Sequence, residues 1–302
     1  MKTSFYSNGK LLLSAEYFVL DGAEALAIPT KYGQSLEVNL ITEALLNWKS
    51  FDHQNKVWFE GSFDIENSLQ IRSCSNEKIA HTLQTILSEA KKLNPLFLNR
   101  QQGIEVKSNM TFPREWGLGS SSTLINNIAQ WAKVDAYELL RTSFGGSGYD
   151  IACAQHSTPL IYSNKTNPST VKNVAFKPSF SDALFFVYLN KKKDSKEAIH
   201  YYKKNTVITL KQLAEFNELT QEFLKATSLP TFEKVLNRHE NLVSSLLGLE
   251  KVKDRLFSDY GGAVKSLGGW GGDFILATGE EATSYFKNKG YEVVIPYSEM
   301  IK

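Results

Sequence analysis

The segment Pro113–Thr123, PREWGLGSSST, sets two glycines and three consecutive serines directly ahead of an apolar-periodic stretch. Gly117 and Gly119 remove side chains and permit backbone conformations that other residues resist. Leu124, Ile125, Ile128, Ala129 and Ala132 then recur at helical spacing. The start of such a helix offers unpaired N–H groups and the positive end of the dipole, a chemistry suited to polyphosphate. Leu118 lies between the glycines, and the hydroxyls of Ser120, Ser121 and Ser122 can add hydrogen bonds or an oxygen ligand for Mg2+. The Walker pattern GxxxxGK[ST] and its lysine are absent. Taken alone, GLGSSS is equally a common turn with serine caps, so phosphate chemistry needs support from elsewhere in the chain.

Three other segments hold residues able to act with it. Gly9–Pro29 (GKLLLSAEYFVLDGAEALAIP) carries Lys10 and Glu16; Gly146–Ala152 (GSGYDIA) carries Asp150; Lys265–Asp273 (KSLGGWGGD) is a second glycine-rich loop with Gly268, Gly269, Gly271 and Gly272. Each has a plain structural alternative. Asp150 after Gly148 suits a helix N-cap, and Lys10 suits a solvated charge at a strand start. Lys191–Lys193 is either an anion contact or a solvated loop, and Arg141 is a comparable case. His239 on an apolar stripe reads as a hydrogen-bonded core histidine, and Cys153, one turn beyond Asp150, as packing.

The elements that must position these residues are of both kinds. Leu11–Leu13, Ser35–Ile41, Val57–Phe63 and Gly103–Ser108 suit strands, and Glu77–Leu93 an amphipathic helix. A helix follows the Gly117 loop, and another begins near Asp150. Ala183–Leu189 (ALFFVYL) reads as a strand buried on both faces. Thr209 with Gln212 forms a capping-box signature, and Pro230–Thr231 opens a helix with Phe232, Val235, Leu236, His239, Leu242 and Val243 on one stripe. Phe274–Ala277 and Tyr291–Ile295 suit closing strands. The mixture argues α+β, and polar Asn164–Ser169 is a candidate boundary.

Composition narrows the partners. The 302 residues carry 42% hydrophobic and 22% charged side chains, ordinary for a globular protein of one or two domains. With 34 basic against 32 acidic residues, the net charge of +2 offers no basic excess for nucleic acid or an acidic membrane. Two cysteines exclude a disulfide framework and point to a reducing, cytoplasmic setting. Leu11–Leu20 is interrupted by Glu16 and spans half the length of a membrane helix, with no cleavage pattern behind it.

In their order and spacing these segments resemble the three motifs of the GHMP kinases, which include galactokinase, homoserine kinase, mevalonate kinase and phosphomevalonate kinase. Gly9–Pro29 is similar to the first motif, Pro113–Ser122 to the second (Pro-x-x-x-Gly-Leu-Gly-Ser-Ser), and Lys265–Asp273 to the third. GSGYDIA resembles the segment of the family's catalytic aspartate; Asn237–Gly248 and Lys191–Ile199 resemble the C-terminal domain of the mevalonate branch. The resemblance implies a domain like ribosomal protein S5 domain 2 over 1–165, which binds ATP, and a ferredoxin-like domain over 166–302, with the active site between them. It implies Asp150 as the base or positioning group and Lys10 as the charge on the transferring phosphoryl. It further implies 117–122 as the ATP loop, Ser121 and Glu138 as Mg2+ ligands, and Ser195 with Gly268, Gly269, Gly271 and Gly272 near the substrate. Glu16 is expected to tie the first motif to its surroundings.

Two departures stand out. Ala15 occupies a position where relatives carry glycine, and Trp270 interrupts a loop otherwise built of small residues. The implied activity is ATP-dependent phosphorylation of a small molecule by a monomer or homodimer, with phosphomevalonate as first acceptor and mevalonate next. A non-catalytic ligand-binding descendant and a decarboxylase of diphosphomevalonate are the alternatives.

Overall fold

The computed structural model describes residues 2–66, 68–99, 102–192 and 195–302, with the side chains of Ser195 and Lys196 outside the description. The chain divides into two compact units that interleave in sequence. The first contains 1–9, 32–114 and 118–155; the second contains 10–31, 115–117 and 156–302.

In the first unit, β1 (Thr3–Leu12) pairs with the long strand β2 (Ala25–Ile41), which is followed by β3 (Leu45–Phe51), β4 (Val57–Asp64) and β5 (Gln70–Cys74). After α1 (Glu77–Leu93), β6 (Gly103–Met110) returns to lie between β2 and β3. The order is β5-β4-β3-β6-β2, with β3 and β6 parallel and the other pairs antiparallel. Helices α2 (Ser120–Ala132), α3 (Ala136–Ser143) and α4 (Tyr149–Gln155) complete the unit. Its core joins Leu36, Trp48, Phe59, Phe63 and Val106 of the strands to Leu83, Leu87, Ile125 and Ile128 of the helices. The alternation of β2 and β6 and the stripe of α1 that marked them in the sequence are the surfaces buried here.

The second unit begins its own pairing where β7 (Leu160–Ser163) aligns with Ala25–Ala27 and with β8 (Thr170–Asn173). The polar stretch Asn164–Ser169 is therefore the turn of a hairpin inside this unit, because its neighbours pair with each other. A four-stranded antiparallel sheet, β10-β11-β9-β12, is built from β9 (Leu184–Tyr188), β10 (Val264–Ser266), β11 (Phe274–Thr278) and β12 (Val294–Pro296). Between β9 and β10 run α5 (Ser195–Asn205), α6 (Leu210–Lys225), α7 (Leu229–Leu247) and α8 (Val252–Leu256). The capping box of Thr209 and Gln212 starts α6, and Pro230 lies in the first turn of α7. α9 (Ala282–Asn288) and α10 (Tyr297–Met300) close the chain. Phe185, Val187, Ile275 and Ala277 share one sheet face with Phe257, Tyr260 and Phe286. The last strand is shorter than Tyr291–Ile295 suggested: Tyr291 turns inward against Phe257 and Phe286 instead of continuing a ladder. No helix of the described residues is long and apolar enough to cross a membrane.

Candidate active site

The loop ahead of α2 opens on two glycines in the left-handed region, Gly117 and Gly119. Gly119 is the N-cap of α2 with φ 89°, a left-handed conformation that a side chain resists, and it supplies no side-chain cap. Among the described residues neither the hydroxyl nor the N–H of Ser120, Ser121 or Ser122 has a hydrogen-bond partner, while Thr123 N–H already bonds to Gly119 O at 2.9 Å. The helix start therefore presents a row of unpaired donors.

A buried polar network fixes this helix on the sheet. Thr123 Oγ1 donates to Gln34 Oε1 (2.6 Å), Gln34 Nε2 to Ser108 Oγ (2.5 Å), and Asn127 Nδ2 to Gln34 O (2.9 Å). Ser7 Oγ donates to Asn127 Oδ1 (2.8 Å), and Asn126 Nδ2 donates to Ser7 Oγ (2.8 Å). Gln155, the last residue of α4, donates to Asn126 Oδ1 (3.1 Å). One network thus holds the start of α2 and the helix carrying Asp150. Asp150 is the second residue of α4, half-buried, and Gly148 O accepts the N–H of Ile151 and Ala152. It lies within the first turn.

Glu138 and Arg141 occupy α3, where the guanidinium forks onto both carboxylate oxygens (Nη2–Oε1 2.5 Å, Nε–Oε2 3.0 Å). The hydrogen bond from Arg141 holds the Glu138 carboxyl below the usual range. The side chains are exposed, and the described residues contain no group of three His, Cys, Asp or Glu that could hold a metal.

The second unit holds the remaining candidates. Lys10 is half-buried near the end of β1. Ser195 begins α5, and Lys191 and Lys192 are exposed, while Lys193 lies outside the described residues. Gly117, with φ 67°, abuts the third-motif loop: a Cβ there would lie 2.6 Å from the Asp273 carboxylate. Trp116 meets Phe274 edge-on at 5.4 Å, so the residue before Gly117 docks on β11. Asp273 was not singled out from sequence, although an acid closing a glycine-rich run is a visible signal.

The first and third motifs meet through a buried charge cluster. Lys265 Nζ donates to Glu16 Oε1 (2.5 Å), Ser266 O (2.9 Å) and Glu240 Oε1 (3.4 Å), and Ser266 N–H donates to Glu240 Oε2 (3.1 Å). Ala15 N–H donates to His239 Nε2 at 3.0 Å, which requires a neutral ring with its proton on Nδ1. Burial, then the nearby Lys265, hold His239 well below its ordinary range. Burial pushes both Glu16 and Glu240 up, Glu240 to about 7. Glu16 is thus the tie that its place in the first motif suggested, and His239 is a core acceptor.

The two departures also resolve. Ala15 has φ 57°, the left-handed region, which explains why glycine suits this position. We expect Ala15→Gly to raise stability by about 0.5 kcal/mol, since relief of about 1–2 kcal/mol of backbone strain exceeds glycine's entropic penalty of about 0.5–1; urea unfolding midpoints measure this. Trp270 is 5% exposed: its indole N–H donates to Glu250 O (3.2 Å) and its backbone N–H to Tyr17 Oη (2.9 Å). It lines a cleft of about 350 Å³ with Tyr17, Tyr202, Leu247 and Leu249, and with Glu197 as the charged group of the lining. The indole therefore docks on the connection from α7 to α8.

No family model matches the chain, and no curated protein matches it by sequence. Solved structures do. The mevalonate kinase of Methanococcus jannaschii superposes with a TM-score of 0.69 at 16% identity, over 97% of this chain and 96% of that one. The fold is that of the GHMP kinases. The phosphomevalonate kinase of Streptococcus pneumoniae, solved with phosphomevalonate and AMPPNP, gives 0.68 at 16% identity over 95% of both chains. The galactokinase of Lactococcus lactis, solved with galactose, gives 0.65 at 14% over 95% of this chain and 88% of that one. The GHMP fold is thus covered almost end to end, at an identity too low to carry a substrate.

Proposed function

We propose that this GHMP-fold chain transfers the γ-phosphate of ATP to a small-molecule acceptor, with phosphomevalonate as the first candidate and mevalonate as the second. One observation carries the reading: a glycine-opened helix start whose three serines leave every hydroxyl and N–H unpaired among the described residues. Such a terminus suits the nucleotide's phosphates through backbone donors and dipole. In this reading residues 1–165 form the ATP-binding domain, like ribosomal protein S5 domain 2, and 166–302 the ferredoxin-like C-terminal domain, a division by motif and not by compactness. The enzyme works in the cytoplasm as a monomer or homodimer.

The chemistry assigned to the chain is positioning and charge neutralisation, which supply most of phosphoryl-transfer catalysis. The bond from γ-phosphorus to its bridging oxygen breaks as the acceptor oxygen bonds to phosphorus, and ADP leaves. Asp150 accepts the proton of an alcohol acceptor, or orients an acceptor already ionised as a phosphate. Lys10 offsets charge on the transferring group. Mg2+, when bound, neutralises charge across the β- and γ-phosphates. Ser121 Oγ, unpaired and half-buried, fits an oxygen ligand for it, whereas Glu138 fits only after releasing Arg141. Ser195 and the Gly268–Gly272 loop are assigned to the acceptor side.

The test is a panel of ATP and Mg2+ with mevalonate, phosphomevalonate, diphosphomevalonate, homoserine and galactose, read as ADP release, CO2 release and product mass. Phosphomevalonate turning over fastest is the expected result. Turnover of mevalonate alone moves the assignment to the alcohol, CO2 release from diphosphomevalonate moves it to decarboxylation, and ligand binding without transfer in every arm removes the kinase.

A further inference from the structure

The cleft beside Trp270 is built from rings. Tyr17 of the first-motif segment, Tyr201 and Tyr202 of α5 and the Trp270 indole line it, and Leu247 and Leu249 add apolar surface. Its volume of about 350 Å³ lies at the lower end of small-molecule clefts, which span about 300–1,000 Å³. Three of the rings are fixed through their polar tips. Trp270 Nε1–H donates to Glu250 O (3.2 Å), Tyr17 Oη accepts the Trp270 backbone N–H (2.9 Å), and the Tyr202 hydroxyl donates to the Asp21 carboxylate. Tyr17 and Tyr202 also stack, with centroids 5.4 Å apart and planes 24° from parallel, and Phe18 meets Tyr202 edge-on at 5.4 Å. These walls are set before any ligand arrives, which removes an ordering cost from binding.

The charge of the cleft is one-sided. Glu197, in the first turn of α5, lines it, and among the described residues no lysine, arginine or histidine does. His200 and Lys204 lie with Glu197 and Tyr201 on an adjoining surface of α5. An anionic group in the cleft would meet aromatic faces and a carboxylate, and both repel it. A cation is attracted by both, since the face of a ring carries the negative end of its quadrupole and Glu197 supplies a full opposite charge. A phosphate is therefore the wrong ligand here, which separates this cleft in chemistry from the donor-rich start of α2.

We propose that this cleft binds an organic ammonium group, which the rings of Tyr17, Tyr202 and Trp270 attract and the Glu197 carboxylate neutralises. Primary and methylated ammonium groups share the chemistry required, a compact positive charge on an apolar frame. The bulk of Trp270 gains a reason in this site: a small residue there would remove the indole, the ring that attracts cations most strongly. The ammonium is carried either by a hydroxyl-bearing acceptor, an amino alcohol under the kinase reading, or by a ligand that is not phosphorylated. The cleft itself does not rest on that reading.

The experiment has a binding arm and a kinetic arm on the full chain. Choline and its uncharged carbon analogue 3,3-dimethyl-1-butanol are titrated into 15N-labelled protein at constant ionic strength. The readout is the Trp270 indole N–H resonance, identified by its loss in Trp270→Phe. Choline is expected to shift it saturably, and the neutral analogue to need at least tenfold more. By calorimetry, Glu197→Gln should raise the choline Kd at least threefold and Trp270→Leu at least tenfold. Glu197 is exposed, so Glu197→Gln should melt with the wild type and decides the matter if Trp270→Leu fails to fold. A resonance that does not move, a neutral analogue that binds as tightly as choline, or a choline Kd unchanged in Glu197→Gln overturns the site. With ATP and Mg2+ added, phosphorylation of choline or homoserine with a KM that rises in Glu197→Gln places the ammonium on the acceptor. Choline that binds without being phosphorylated places it on another ligand. Choline binding to a protein that phosphorylates no acceptor keeps the site and rejects the kinase. Turnover of phosphomevalonate by a chain that does not bind choline rejects the site and keeps the kinase.

Discussion

Asp150→Asn is expected to lower turnover about 10²- to 10⁴-fold, the usual contribution of a positioned general acid or base, while nucleotide affinity changes by less than about twofold. The substitution keeps the shape of the side chain and removes its negative charge and basicity. Asp150 stands in the first turn of α4, whose far end is held by Gln155 on Asn126, so the helix and the start of α2 should stay in place. ATP affinity by calorimetry and single-turnover rates separate the two effects. The acceptor sharpens the result. An alcohol must give up a proton, so the loss should be at the upper end with mevalonate; an ionised phosphate needs orientation alone, so the loss should be smaller. A variant that turns over at the wild-type rate removes Asp150 from the mechanism.

The second large effect is on stability. Lys265→Met should destabilise the protein by about 3–5 kcal/mol at pH 8, because it leaves Glu16 and Glu240 buried without their cation. The loss should shrink at pH 5, where both carboxyls can be neutral. Glu240→Gln tests the same cluster from the other side. With its folded value raised to about 7 from an ordinary 4.5, Glu240 binds a proton more tightly in the folded chain. Its contribution is therefore fully present below about pH 4.5 and is lost as pH rises through about 7, a decline on the order of 3 kcal/mol. Glutamine keeps an acceptor for Ser266 N–H and cannot ionise. The variant should flatten that decline, leaving the slope due to Glu16. Urea unfolding at pH 5 and pH 8 measures both variants; a Glu240→Gln slope equal to the wild type's would place the titration on another group.

Local signals determine much of this molecule. Glu77–Leu93 carries its own apolar stripe and an N-cap at Asn76, so α1 begins and ends where its sequence says. The capping box at Thr209, the apolar run of β9 and the glycines opening α2 are equally self-contained, because each depends on residues within one turn or one strand. Short elements were not legible. α3 has eight residues and β5 five, too few for a period to show, and the polar candidate boundary 164–169 carries no local sign that the strands on either side of it pair with each other.

What tertiary structure decided are the relations between distant residues. Sequence placed Glu16, His239 and Lys265 in three motifs or stripes; packing alone makes them one buried cluster, since the separations of 249 residues between Glu16 and Lys265 and 224 between Ala15 and His239 carry no local signal. The same holds for Asp273 against Gly117 and for Trp270 beside Tyr17. Residue types and short spacings determine which groups can bind phosphate. Burial and long-range contact determine which of them are left unpaired to do so, because an N–H or a hydroxyl is available only when the fold offers it no other partner.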